Sequence, residues 1–62
     1  MIKLLLVEDD STFSYIVKNE LQEIIGGYEV ITATNGAEGL KAWKEYHPDT
    51  VSYTHVTLPT NR

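Results

Sequence analysis

Lys3-Leu4-Leu5-Leu6-Val7-Glu8-Asp9-Asp10 is the stretch from which the fold is read. Leu4 to Val7 run apolar without a polar break, the pattern of a strand buried on both faces of a parallel sheet. Three carboxylates follow at once, and in open parallel sheets ligands sit beyond the carboxyl ends of the strands. Packed acids repel one another unless a cation or a proton relieves them. Oxygen-only ligands favour a hard ion, and a site completed by water favours Mg2+. The competing reading is a loop that is acidic only because it is solvated.

Working outward, Asp10 or Ser11 offers a side-chain oxygen to cap a helix. Phe13, Ile16, Val17, Leu21, Ile24 and Ile25 recur at three- and four-residue intervals. They predict a helix over about 11–25 whose apolar stripe is core. Gly26-Gly27 stops it, because glycine accepts positive φ at a helix C-terminus. Tyr28 to Ala33 is rich in β-branched residues and reads as a second strand.

Asn35-Gly36 is also a leading hairpin signal. The segment after it, Ala37 to Tyr46, is a strong helix former, so the dipeptide is read as a strand-to-helix loop. Leu40, Trp43 and Tyr46 are expected on that helix's buried face. His47-Pro48-Asp49 ends the helix, with His47 as a solvated loop residue pushed out of helical geometry by Pro48. The order strand, helix, strand, helix predicts parallel strands in an α/β fold. Tyr46-His47-Pro48-Asp49 also resembles the loop signature of J-domain co-chaperones, an all-helical family; the two strands before it argue against that assignment.

Length and composition bound the function. The chain has 62 residues, a formal charge of -4 and no cysteine. One domain or part of one is expected, burying only about 60% of its unfolded surface. The acidic balance argues against direct contact with nucleic acid or an anionic membrane. Neither a signal peptide nor a membrane span is expected, and the absence of cysteine fits a reducing compartment.

Val7-Glu8-Asp9-Asp10, the stripe from Phe13, Gly27-Tyr28-Glu29-Val30, Thr34-Asn35-Gly36-Ala37-Glu38-Gly39-Leu40 and His47-Pro48-Asp49, in that order, resemble the N-terminal half of a response-regulator receiver domain. These are the signalling modules of two-component phosphorelays. The resemblance covers residues 2–49 and implies a flavodoxin-like fold truncated to β1-α1-β2-α2-β3. It implies that Glu8 and Asp9 are metal-binding residues: Asp9 would hold Mg2+ directly, and Glu8 mainly through water. It implies a cytoplasmic protein, not itself an enzyme, that takes a phosphoryl group from a sensor histidine kinase onto an aspartate closing strand three.

The resemblance stops at that aspartate. Counting from His47-Pro48-Asp49 places the acceptor at Thr54; counting back from Pro59 places it at His55. Neither is a carboxylate, so no acyl phosphate is expected. Residues 50–62 also differ in composition: they hold four threonines and no acid, whereas residues 1–49 hold three threonines and all nine acids. Residues 1–49 are therefore read as the N-terminal half of a receiver. Residues 50–62 are read as an atypical tail standing in for strand three, similar to translated adapter sequence. Two other readings follow: a pseudo-receiver that serves as a protein-interaction module, or a gene fragment without function. Self-association through the open edge of the sheet is expected, and Mg2+ binding should be weak.

Overall fold

The structure is a computed structural model that describes residues 1–54. Ile2–Glu8 forms β1, Ser11–Asn19 forms α1, Tyr28–Ala33 forms β2, Gly36–Tyr46 forms α2 and Thr50–Thr54 forms β3. The strands make one parallel sheet in the order β2-β1-β3. This is the truncated flavodoxin-like α/β arrangement expected from the sequence. The all-helical alternative is excluded.

The apolar run of β1 takes the central place. Leu5, Leu6 and Val7 are each no more than 2% exposed, and with Val30 and Ala33 they are the buried apolar residues among those described. A strand flanked on both sides and covered on both faces needs apolar residues at consecutive positions, and β1 supplies them.

α1 does not seat as its stripe suggests. Ser14 is buried and Val17 and Leu21 are half-buried, a seam of three- and four-residue steps. Phe13 and Ile16 lie on its flank, 42% and 51% exposed, so this part of the expected core is corrected. A helix on a three-stranded sheet has only one surface to pack against, and a wide stripe overhangs it. Ile24 and Ile25 are exposed for a second reason. From Glu20 to Ile25 the helix widens into a π-helical stretch, closed by a bond from the Gly26 N–H to the Leu21 carbonyl at 3.0 Å. The longer repeat carries both isoleucines off a stripe built on steps of three and four. Gly26 and Gly27 follow at φ 83° and 87°, the positive angles that glycine tolerates best.

α2 also packs through a different face from the one expected. Gly36 and Gly39 are buried, and Ala42 packs against the cluster of Leu5, Val7 and Ala33. Leu40, Trp43 and Tyr46 stand about half exposed, which corrects their assignment as the buried face. The reason is distance. A Cβ added at Gly39 would lie 2.8 Å from Cγ2 of Val7, so the helix approaches β1 more closely than any larger residue allows. Leu40 and Trp43 instead flank a shallow groove over Leu5, Val51 and Tyr53.

The loop after α2 ties back to the start of β1. His47 ends the helix at φ 51°, left-handed rather than the extended form usual before proline, and is exposed. The Asp49 N–H donates to the Lys3 carbonyl at 2.7 Å, and Asp49 Oδ2 accepts from the Lys3 N–H at 2.8 Å. This clamp sets β3 in register with β1, so that Leu4 faces Thr50 and Glu8 faces Thr54. β3 forms although half polar: threonine, valine and tyrosine suit a pleated edge where one side need not be apolar.

Candidate functional site

β1 delivers the acidic run to the carboxyl rim of the sheet, where its three carboxylates take three different situations. Glu8, the last residue of β1, is 1% exposed. Its Oε2 accepts the Asp10 N–H at 3.0 Å, while Oε1 is buried with no hydrogen-bond partner among the described residues. Asp9 is exposed at the bend that follows. Asp10 caps α1: its Oδ1 accepts from the N–H groups of Thr12 at 2.9 Å and Phe13 at 3.2 Å. Of the two capping candidates the structure uses Asp10. The acid run is therefore not merely a solvated loop, because one of its members is buried.

A buried carboxylate oxygen without a partner costs about 1–3 kcal/mol or more, and native folds rarely keep one without a use. It calls for a proton or a cation. The donor chemistry of Glu8 and Asp9 is that of a hard ion such as Mg2+, with water filling the remaining positions. The number of donors is small: no group of three or more His, Cys, Asp or Glu residues among the described residues is arranged to hold a metal ion. The two carboxylates thus fit Mg2+ in donor type, one of them buried and the other exposed. Across the sheet the backbone of Thr54 lies in register with Glu8. His55, the other candidate acceptor position, lies outside the described residues.

The second strand-to-helix turn lies on the same rim and uses its polar groups differently. Asn35 Oδ1 accepts the Glu38 N–H at 2.8 Å and caps α2. Glu38 Oε1 reaches back to the Thr34 hydroxyl at 2.8 Å and the Thr34 N–H at 3.2 Å. The hydroxyl bond, then the N–H bond and the attraction of Lys41 hold the Glu38 carboxyl below its ordinary value. Glu38 thus answers the cap through Thr34, the residue before Asn35, rather than through the Asn35 N–H of a regular capping box; Asn35 followed three residues later by Glu38 is the sequence signal for it. Gly39, whose missing side chain lets α2 approach Val7, left no comparable signal.

No family model matches the chain, and no solved structure matches it. Among curated proteins it is similar to protein-glutamate methylesterase/protein-glutamine glutaminase 3 of Rhodospirillum rubrum, with 36% identity over 52 residues. That match covers 84% of this chain and 14% of the relative. Among the described residues no helix is long and apolar enough to cross a membrane.

Proposed function

We propose that the chain carries a receiver-like segment of a two-component response regulator, and that its acidic pair is not competent to accept phosphate. The observation that carries this reading is Glu8: a fully buried carboxylate with one oxygen unpaired among the described residues, at the carboxyl end of the central strand, in register with Thr54. The sheet order β2-β1-β3 supports it, as does the partial similarity to the methylesterase. On this reading Glu8 and Asp9 would hold Mg2+, which supplies positive charge where two anions must meet. Asp10 and Glu38 hold the two helices in place around that point.

The phosphoacceptor is the missing part. The Thr54 hydroxyl cannot form an acyl phosphate and brings no third negative charge to the metal. The segment is then non-enzymatic, cytoplasmic and descended from a partner of a sensor histidine kinase, in contact with neither nucleic acid nor membrane. The exposed apolar residues Phe13, Ile16, Leu40 and Trp43 favour one second reading, a pseudo-receiver that binds a protein partner instead of phosphate.

Acetyl phosphate with Mg2+ tests the proposal. Mass spectrometry should find the chain unmodified under conditions that label a competent receiver. A phosphoryl group on Thr54 or His55 would overturn the account of the missing acceptor.

A further inference from the structure

Asn35-Gly36 opens α2, and the same dipeptide holds the parts of a chemical reaction. Asn35 is exposed, so water reaches its side-chain amide. Gly36 has no side chain to shield its nitrogen. As the first residue of α2, its N–H also has no intrahelical acceptor. The carboxamide carbon of Asn35 and the Gly36 nitrogen can close a five-membered ring. Oδ1 already accepts the Glu38 N–H at 2.8 Å, and a donor at that oxygen makes the carbon a better electrophile.

What the folded turn withholds is alignment. Closure needs the Gly36 nitrogen nearly eclipsed with Cβ of Asn35, and the extended ψ of 175° holds the two apart. Turning ψ would break the bond from the Gly39 N–H to the Asn35 carbonyl, 2.8 Å long. The residue before Asn35 is held as well. Glu38 Oε1 accepts from the Thr34 hydroxyl at 2.8 Å and from the Thr34 N–H at 3.2 Å.

We infer that Asn35-Gly36 is a site of intramolecular deamidation gated by the first turn of α2. When that turn opens, the Gly36 nitrogen loses its proton to solvent base and bonds to Cγ of Asn35. The Cγ–Nδ2 bond breaks, the departing nitrogen takes up a proton, and ammonia leaves. Water then opens the succinimide at either carbonyl, and nothing is oxidised or reduced. Opening at Cγ leaves an aspartate, which keeps an oxygen for the Glu38 N–H and is itself a favoured cap. Opening at the main-chain carbonyl leaves an isoaspartate, with one extra atom between its Cα and the Gly36 nitrogen. α2 has little slack for that atom, because a Cβ at Gly39 would already stand 2.8 Å from Cγ2 of Val7. One product keeps α2 seated on β1 and the other unseats it. The inference is independent of the phosphorelay reading.

Timed incubation of the full chain at neutral pH, in native buffer and in concentrated urea, tests it by mass spectrometry of the peptides. In urea, conversion should fall on Asn35 before Asn19 or Asn61, which precede the bulkier Glu20 and Arg62. In native buffer Asn35 should convert at least tenfold more slowly, because only locally opened chains react. Glu38→Ala releases Thr34 but keeps the backbone N–H of the cap. It should raise the native rate at least threefold and leave the rate in urea unchanged. Of the two separated products, the isoaspartyl chain should exchange its α2 amide protons at least tenfold faster. Equal rates in buffer and urea would overturn the inference, as would faster conversion at Asn19 or Asn61 in urea. A native rate untouched by Glu38→Ala, or equal amide exchange in the two products, would overturn it too.

Discussion

The two strand-to-helix turns are built from the same parts and end in different states. Each has an amide or carboxylate cap, Asp10 or Asn35, on the first turn of a helix. Each has a glutamate that accepts one backbone N–H of its own turn, Asp10 for Glu8 and Thr34 for Glu38. Glu38 is exposed, and its bonded oxygen takes both the hydroxyl and the N–H of Thr34. Glu8 is buried, and its second oxygen has no partner among the described residues. The second turn is thus complete as a structural device. The first leaves a buried carboxylate oxygen unpaired among the described residues, which is why the proposed cation site is placed there.

Replacement of the buried acid should break the comparison most strongly. Glu8→Gln keeps an acceptor for the Asp10 N–H and removes the charge from an environment that does not pair it. Thermal or urea unfolding should show the metal-free chain more stable by about 1–3 kcal/mol, with any Mg2+-dependent stabilisation lost. A fall in stability would mean that the free oxygen is satisfied in solution.

The caps should respond alike, since they do the same work. Asp10→Ala and Asn35→Ala should each cost about 1 kcal/mol, and Asp10→Asn should recover most of the loss. If Asp10→Asn also abolished a Mg2+ response, Asp10 would be a ligand and not only a cap.

The smallest effect is on pH dependence. The folded carboxyl of Glu38 lies below its ordinary value of 4.5, so it contributes stability above that value. That stability is lost as pH falls from about the ordinary value through the lowered one. Glu38→Gln should therefore flatten acid unfolding in this window, with a small loss of stability near neutral pH that disappears below the lowered value. An unchanged acid limb would show that the Thr34 bonds are not kept in solution.

Much of the fold is legible in the residues. The unbroken run from Leu4 to Val7 requires a central strand, and β2 occupies the residues its β-branched pattern marks. The glycine pair after the first helix adopts the positive φ angles that only glycine takes readily. The faces of the helices were less legible, because periodicity shows which residues are apolar but not how near the helix sits. α2 approaches β1 through Gly36, Gly39 and Ala42, small residues that a hydrophobic pattern undervalues. The π-helical stretch shifts Ile24 and Ile25 off a stripe that assumes an unbroken α-helix. At the candidate site, the rim position of the acids followed from the end of β1. The division of labour among Glu8, Asp9 and Asp10 did not, because it depends on which oxygen meets which N–H.

On the proposed reading Glu8 and Asp9 would be cation ligands left without the carboxylate that a receiver carries at the position of Thr54 or His55, and Thr54 is the one whose backbone lies in register with Glu8. Titration of Mg2+ into the full chain and into Thr54→Asp, followed by calorimetry, tests it most directly. The account predicts weak binding to the unmodified chain and at least tenfold tighter binding once a third carboxylate stands in register with Glu8. Sub-micromolar binding to the unmodified chain, or no gain in Thr54→Asp, would contradict it.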